Sequence, residues 1–426
     1  MQFENTLAFA QSLDAQDSLR NFRNDFIIPV EDGKEQIYFL GNSLGLQPKQ
    51  TLSYIQNILN DWSKHGVESF FMGSDPWMFY HDHLTKTLSV ILGAKPSELV
   101  VMNNLTVNLH LMMVSFYRPA GKRNKIICEA KAFPSDQYMF ESHIKHHGLN
   151  PDDTIIEIQP REGEYCLHTE DILQAIEQYK DELVLILFGG INYYTGQVLD
   201  MKTITEAGHK AGVAVGYDLA HVAGNVKLQL HEWEVDFACW CNYKYLNSGP
   251  GAIGGAYIHE RFHKDETINR FAGWWGYKKE TRFKMEKGFQ PIPSAEGWQL
   301  STPPITLLAA HRSALDIIEK AGWENIQQKR ILLNAYLWFV LDEINASQKE
   351  KLIEFITPRE EEEHGCQVSM LMLNKGKGVY DQLMKNGIYV DWREPNVIRL
   401  APVPLYNTFE EVWKFGNTLR SILQGN

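Results

Sequence analysis

Strands and helices alternate along the middle of this 426-residue chain. Short apolar runs, typical of buried strands, are separated there by longer segments with apolar residues at helical spacing. The pattern predicts strands at 125–128, 154–158, 183–188, 213–217, 236–241 and 252–258, and helices at 135–147, 169–179 and 201–211. Such alternation predicts an α/β fold with a mostly parallel sheet, helices on both faces and ligands beyond the carboxyl ends of the strands.

The flanking segments predict an arm and a smaller second domain. Residues 1 to about 35 have the pattern of an amphipathic arm, and 289–304 is a connector rich in proline and serine. After it, long helices at 304–320 and 322–345 precede short strands and a closing helix, which indicates an α+β domain. The predicted division is an N-terminal arm that packs with the small domain (1–50), a large cofactor-binding domain (51–305) and a small C-terminal domain (306–426).

Composition excludes several classes of protein. A formal net charge of -12 argues against a nucleic-acid partner, which normally requires a basic face. The longest apolar runs have the length of a strand, too short to span a membrane. Five scattered cysteines, an odd number, and an N-terminus without a basic segment followed by an apolar core predict a soluble cytoplasmic protein.

Lys244 is the residue that most strongly suggests chemistry. It follows the predicted buried strand 236–241 and precedes a loop of small and polar residues, 247–251. Its neighbours are aromatic or apolar rather than charged, so partial desolvation is expected to make its amine nucleophilic. The alternative is an ordinary solvated lysine. We hypothesise a lysine that forms a Schiff base.

Two polar groups near other predicted strands could serve a cofactor with Lys244. Asp218 directly follows strand 213–217, where a carboxylate could keep the ring nitrogen of pyridoxal phosphate protonated. A turn-capping aspartate is the competing interpretation. Asn104, Leu105 and Thr106 open a predicted helix and could offer N–H groups to a phosphate, or could form an ordinary cap.

Two further residues could contact a ring and a carboxylate. Phe133, again just after a strand, could cover one face of the cofactor ring, or could belong to a simple turn before a helix. Arg399 lies inside an apolar strand, and a buried guanidinium needs a carboxylate partner. That partner is either an amino-acid substrate or an intramolecular salt bridge.

Two short motifs match known binding patterns only in part. Gly249, Gly251 and Gly254 match the spacing of a dinucleotide-binding fingerprint, but strand-like residues follow where that fingerprint requires a helix. His143 and His147 stand four apart on a predicted helix, yet the adjacent glutamate of a zinc-binding motif is missing. No metal site is predicted.

Six segments together resemble the kynureninases, a family of fold-type-I pyridoxal-phosphate enzymes. They are FLGNSLGLQP, AKAFPSD, GYDLAHVAGNV, DFACWCNYKYLNSGPGAIGGAYIHE, TRFKM and IRLAPVPLYN. The resemblance implies an aspartate-aminotransferase-like fold and a homodimer with shared active sites. It also implies hydrolytic Cβ–Cγ cleavage of L-kynurenine, or of its 3-hydroxy form, to anthranilate or 3-hydroxyanthranilate and L-alanine. That reaction, part of tryptophan catabolism, passes through cofactor-bound aldimine and quinonoid intermediates.

The resemblance also implies roles for particular residues. Lys244, Tyr243 and Asp218 would be catalytic. The cofactor would be held by Leu105, Thr106, Phe133, Asp136, Asp218, His221, Tyr243 and Lys244, with Trp274 and Thr302 from the neighbouring subunit. The substrate would contact Ser43, Phe70, Tyr277, Thr302 and Arg399, with Arg399 binding its α-carboxylate.

Two other functions remain open at this stage. A cysteine desulfurase or selenocysteine lyase of the same fold would need a nucleophilic cysteine from the small domain, and Cys366 is the candidate. A binding module without enzymatic activity would use Lys244 only structurally.

Overall fold

The computed structural model describes residues 2–425, and its helices and strands alternate much as the sequence predicts. The α-helices are α1 (Leu7–Gln16), α2 (Thr51–His65), α3 (Asp82–Leu92), α4 (Leu105–Phe116), α5 (Pro134–His146), α6 (Pro151–Thr154), α7 (Thr169–Tyr179), α8 (Met201–Lys210), α9 (Ile305–Ala321), α10 (Trp323–Ala346), α11 (Gly376–Lys385) and α12 (Phe409–Gln424). The strands are β1 (Val30–Glu31), β2 (Lys34–Glu35), β3 (Ile37–Tyr38), β4 (Leu99–Val101), β5 (Lys125–Glu129), β6 (Ile155–Ile158), β7 (Leu183–Gly189), β8 (Ala214–Asp218), β9 (Phe237–Cys241), β10 (Gly254–Ile258), β11 (Ile353–Phe355), β12 (Val368–Met372), β13 (Ile388–Tyr389), β14 (Asp391–Arg393) and β15 (Val397–Leu400).

A seven-stranded sheet carries the functional residues, with strand order β4-β10-β9-β8-β7-β5-β6. Strands β5 to β9 pair in parallel, whereas β10 runs antiparallel to both β9 and β4. The register aligns Gly189 of β7 with Asp218 of β8, and Asp218 with Cys239 of β9. The carboxyl ends of these strands therefore meet at one edge, as the alternation predicts.

Both faces of this sheet are buried, which explains the continuous apolar composition of its strands. Ile127 and Val215 face one hydrophobic cluster, to which α7, α8 and α9 contribute. Ile126 and Cys128 face the opposite cluster, which contains residues of α4 and α5.

The C-terminal part of the chain forms a second, smaller core. Its sheet is antiparallel, with order β11-β12-β15-β14, and α10 packs against α12. The N-terminal arm joins this core, since α1 packs on α12 and β3 pairs with β13. Helix α9 contributes to the large-sheet cluster. The division at 50/51 and 305/306 stays a prediction.

The predicted strands and helices between residues 125 and 258 are confirmed, with ends that differ by up to two residues. Helices α3 and α11 and the short strands β13 and β14 were missed. No helix within residues 2–425 is both long enough and apolar enough to cross a membrane.

The loop that follows β3 packs closely against the loop that carries Lys244. The N–H of Gly45 donates to the carbonyl of Tyr243 at 2.8 Å. A Cβ atom at position 45 would lie 2.3 Å from the carbonyl oxygen of Lys244 and 2.3 Å from Asn247 Oδ1. Only glycine fits this contact without displacing the lysine loop.

Replacing this glycine should therefore destabilise the protein. We expect Gly45→Ala to lower the free energy of unfolding by about 1–3 kcal/mol, because the added methyl overpacks the contact. Urea unfolding followed by circular dichroism measures the change.

The matched control is Gly378→Ala in α11, where a Cβ atom meets nothing within 4 Å. Alanine has the higher helix propensity, so this variant should be at least as stable as the wild type. Equal stability of Gly45→Ala and the wild type would contradict the close approach.

Candidate active site

A cavity of about 550 Å³ lies at the carboxyl ends of the parallel strands. Nine of the predicted site residues line it: Ser43, Leu105, Thr106, Phe133, Asp136, Asp218, His221, Tyr243 and Lys244. These residues come from the segments that follow β3, β4, β5, β8 and β9. The large sheet thus brings together groups from Leu105 to Lys244, as expected of a site at such an edge, and Ser43 joins them from the loop after β3.

Lys244 points its amine at a histidine inside the cavity. Its Nζ lies 3.0 Å from His221 Nε2. Burial, together with the positive charge of Lys244, holds the pKa of His221 well below its usual value. The imidazole is therefore neutral and accepts a hydrogen bond from Nζ, which fixes the position of the amine.

The glycine-rich loop after Lys244 returns the chain to the start of α4. A Cβ atom on Gly254 would lie 3.1 Å from the backbone nitrogen of Leu105 and 2.9 Å from the carbonyl oxygen of Trp240. This close approach explains the glycine at position 254. The loop does not have the form of a dinucleotide-binding site, because β10 follows it instead of a helix. The expectation that the dinucleotide fingerprint is fortuitous is confirmed.

Three carboxyl groups converge at one end of the cavity. Asp218 ends β8, Glu129 ends β5, and Asp136 lies in the first turn of α5. All three are buried. Asp218 Oδ1 accepts the N–H of Ala220 at 2.7 Å, and both oxygens of Glu129 accept the N–H of Gly189.

Burial raises the pKa of all three groups and is the largest cause in each case. It raises the pKa of Glu129 to about 7, with a further contribution from the negative charge of Asp218. The negative charges of Asp218 and Glu129 raise the pKa of Asp136 further, well above its usual value. Lys244 acts in the opposite direction on Asp136 and Asp218.

A protonated pyridine ring fits this end of the cavity. Asp136 Oδ1 is buried and accepts no hydrogen bond within the chain. A buried acceptor in that state calls for a donor from a ligand, and a ring N–H with a positive charge would also relieve the repulsion. Phe133 is 39% exposed and lines the cavity, and its ring meets that of Tyr193 edge to face at 5.3 Å between centroids.

The residues at the start of α4, which also line the cavity, suit a phosphate. Helix α4 begins at Leu105, and Asn104 caps it by accepting the N–H of Val107. The N–H groups and dipole at the start of a helix favour an anion, and Tyr243 lines the same cavity. The carboxyl cluster and the helix start therefore match the ring and the phosphate of pyridoxal phosphate.

Arg399 is held in an intramolecular pair. Its side chain is 1% exposed, and it forms an ion pair with Asp391 at 2.8 Å between Nη2 and Oδ2. Ser43 donates to the same carboxylate oxygen at 2.9 Å. The predicted salt bridge is thus present, and it lies beside the predicted substrate residue Ser43. Whether Arg399 binds a substrate stays a prediction.

The other predicted residues lie outside the cavity of the single chain. They are Phe70, Trp274, Tyr277 and Thr302. Phe70 packs against Trp77 and Trp275, while Thr302 is exposed. Sequence reasoning missed Glu129, Tyr193 and Arg393, which line the cavity. The position of Glu129 at the end of a strand was the available signal.

Solved structures share this architecture. An apo cysteine desulfurase from Thermococcus onnurineus superposes with a TM-score of 0.77 at 20% identity, covering 95% of this chain and 98% of that chain. A C-DES mutant with glycine covalently linked to its pyridoxal-phosphate cofactor gives 0.74 at 16% identity, with 90% and 96% covered. At these identities the likeness shows the fold alone. The fold is that of the fold-type-I pyridoxal-phosphate enzymes.

Sequence relatives are more specific. The chain is 56% identical over 420 residues to a kynureninase of Flavobacterium psychrophilum, with 99% of both chains covered. It is 44% identical over 433 residues to that of Mus musculus, with 98% of this chain and 93% of the relative covered. Residues 326–419 match the kynureninase C-terminal domain. The chain belongs to the kynureninase family, which confirms the resemblance.

The carboxyl cluster makes the stability of the cofactor-free protein depend on pH. Folding raises the pKa of Glu129 from 4.5 to about 7, so the folded state binds the proton more tightly than the unfolded state. Stability should therefore fall as pH rises from about 4.5 to 7, by about 3 kcal/mol from this group.

Glu129→Gln should remove that contribution, because its amide oxygen still accepts the N–H of Gly189 but cannot ionise. Urea unfolding of the cofactor-free wild type and variant at several pH values tests this. An identical pH dependence of the two proteins would show that Glu129 does not titrate as described.

Proposed function

We propose that this protein is a pyridoxal-phosphate-dependent hydrolase that cleaves the Cβ–Cγ bond of L-kynurenine and releases anthranilate and L-alanine. The observation that carries the proposal is the single cavity that Lys244 lines together with the carboxyl cluster and the start of α4. Identity of 44–56% with kynureninases over nearly the whole chain supports the choice of substrate.

The residues of the cavity have distinct tasks in holding the cofactor. Lys244 would be the point of covalent attachment, and Asp218 with Asp136 would pair with the ring nitrogen. Thr106 and the backbone at the start of α4 would hold the phosphate, together with Leu105 and Tyr243, and Phe133 would lie against the ring. When bound, pyridoxal phosphate supplies an electron sink that stabilises negative charge at the substrate carbon next to the amino group.

Proton transfer at the α-carbon falls to Lys244. A free amine at Nζ takes the proton from the α-carbon of the substrate. His221 keeps this amine in place, because its neutral Nε2 accepts a hydrogen bond from Nζ at 3.0 Å. The carboxyl cluster keeps the adjoining environment negative, which favours a positive ring throughout.

Tyr243 would assist the cleavage itself. Burial raises the pKa of its hydroxyl, which therefore stays protonated at neutral pH and can donate to the γ-carbonyl oxygen of the substrate. Such a donor polarises the carbonyl for addition of water. Collapse of the resulting hydrate breaks the Cβ–Cγ bond. The γ-carbon leaves as the carboxyl group of anthranilate, and the β-carbon keeps the electron pair of the bond and takes a proton to become the methyl group of L-alanine. Either L-kynurenine or its 3-hydroxy form satisfies this scheme.

A cysteine desulfurase function is disfavoured by the state of Cys366. The thiol is buried and does not line the cavity, and burial raises its pKa to about 12. The reactive form of a cysteine is the thiolate, which this environment suppresses. Cys366 is therefore a packing residue here and not a nucleophile.

Anthranilate fluorescence after addition of L-kynurenine tests the proposed reaction. Wild-type protein should form anthranilate, and Lys244→Ala should reduce the rate by at least roughly a hundredfold, because the base is lost. Cys366→Ala should keep wild-type activity. Equal anthranilate formation by wild type and Lys244→Ala, or sulfide release from cysteine that requires Cys366, would contradict the proposal.

The active unit proposed is a homodimer in which each subunit completes the site of the other. Exposed aromatic side chains support it: Phe283 is 52% exposed and contacts both Phe71 and Trp274. An exposed apolar cluster of this kind favours a protein interface. Phe70, Trp274, Tyr277 and Thr302 would approach the cavity of the partner.

Free thiols at all five cysteines support a cytoplasmic location.

Sedimentation equilibrium measures the mass of the assembly. The wild type should have twice the 49.0 kDa of one chain. Phe283→Asp should shift the mass towards the monomer, because it places a charge in the aromatic cluster. Leu373→Asp, an exposed apolar position outside that cluster, is the control and should remain dimeric. A monomeric wild type would refute the dimer.

A further inference from the structure

Arg393 is an arginine that lines the cavity and lies close to Arg399. Strands β14 and β15 pair antiparallel, with Asp391 opposite Arg399. Because side chains alternate along a strand, Arg393, two residues after Asp391, extends from the same face of the sheet. Asp391 and both arginines are therefore neighbours on one face, and Arg393 lines the cavity, whereas Arg399 does not.

Asp391 joins these groups. Its carboxylate forms ion pairs with Arg399, at 2.8 Å from Nη2, and with Arg393, at 3.0 Å from Nε. It also accepts the hydroxyl of Ser43 at 2.9 Å. One negative charge thus faces two positive charges. Within residues 2–425, no second carboxylate forms an ion pair with either arginine.

The buried donors of both guanidinium groups face Asp391. Arg399 Nη2 lies 2.8 Å and Arg393 Nε lies 3.0 Å from its carboxylate oxygens. The rest of the Arg393 side chain is accessible, since it is 38% exposed and lines the cavity. A planar guanidinium is suited to a carboxylate, so the net positive charge and the accessible Arg393 both favour an anion in this part of the cavity.

The two arginines differ in how accessible their side chains are to a ligand. The side chain of Arg399 is 1% exposed and that of Arg393 is 38% exposed. The carboxylate of Asp391 occupies one edge of the Arg399 guanidinium, and the carbonyl oxygen of Tyr193 accepts from its Nη1. An incoming carboxylate therefore has a freer path to Arg393 than to Arg399.

We propose that Arg393 is a second binding residue for the α-carboxylate of the substrate, and that Asp391 is the positioning residue that holds Arg393, Arg399 and Ser43 together. The inference deepens the proposed function, on which it rests for the identity of the substrate. Asp391 allows two cations to lie side by side, because its charge offsets their repulsion. The α-carboxylate of the substrate neutralises the remaining positive charge.

Binding of L-alanine to the cofactor-loaded protein tests this directly, because the amino acid perturbs the visible absorbance of the cofactor. Arg393→Gln should raise the dissociation constant for L-alanine by roughly tenfold to a hundredfold, the effect of losing one hydrogen bond between charged groups. Affinity for L-alaninamide, which has no carboxylate, should not change. KM for L-kynurenine should rise by the same factor as the alanine constant while kcat is unaffected.

Two further variants calibrate the result. Arg393→Lys keeps the charge but loses the planar fork, so its affinity for L-alanine should lie between those of wild type and Arg393→Gln. Arg359→Gln removes an exposed arginine that pairs with Asp342, away from the cavity, and should leave binding unchanged. If Arg393→Gln fails to fold, the lysine variant decides by the same comparison of L-alanine with L-alaninamide.

The proposal is overturned if L-alanine binds the wild type and the Arg393 variants equally, or if L-alaninamide loses affinity to the same extent. The two proposals fail separately. Absence of anthranilate from the wild type, with L-alanine binding still dependent on Arg393, would refute the reaction and keep the carboxylate site. Anthranilate formation with unchanged L-alanine binding would do the reverse.

Discussion

Burial of three carboxyl groups at one edge of a parallel sheet is the constraint on which the site depends. Glu129, Asp136 and Asp218 lie in a place where ionisation is costly, and their raised pKa values express that cost. A buried carboxylate is stable only with a positive partner or well-directed donors. The cavity that they line with Lys244 therefore suits a cationic ring, whose charge would offset the cost of their ionisation.

The second feature is the way three parts of the chain meet at the lysine. The loop after β3 contacts the lysine loop through Gly45 and contacts the small domain through Ser43 and Asp391. The end of the large sheet and strand β14 are thus connected by one short segment of the arm. A movement of Asp391 and the arginines relative to the large sheet would displace Ser43, and through the same segment it would reach the lysine loop.

Much of this could be predicted from the sequence, for physical reasons that are specific to each residue. Asp218 and Lys244 directly follow apolar strands, and the end of a parallel strand is where ligands bind, so their positions carried the information. The pairing of Arg399 with Asp391 could be anticipated only as one of two alternatives, because the register of β14 against β15 decides it and β14 has three residues without periodicity.

Other features had no signal in the sequence. Helix α9 is amphipathic, and that pattern does not say which of two cores it joins; its apolar side belongs to the large-sheet cluster. Arg393 precedes a Glu-Pro pair in a stretch that reads as an exposed turn, so only the folded sheet places it at the cavity. Phe70, Trp274, Tyr277 and Thr302 do not line the cavity of the single chain, and their roles at the site stay predictions.

The central claim is that the cofactor is carried by Lys244, and chemical labelling tests it most directly. Borohydride treatment of the cofactor-loaded protein converts a Schiff base into a stable pyridoxyl amine, after which proteolysis and mass spectrometry locate the modified lysine. The account predicts loss of the visible absorbance and a single modified peptide that contains Lys244. Modification of a different lysine, or absorbance that borohydride leaves unchanged, would contradict it.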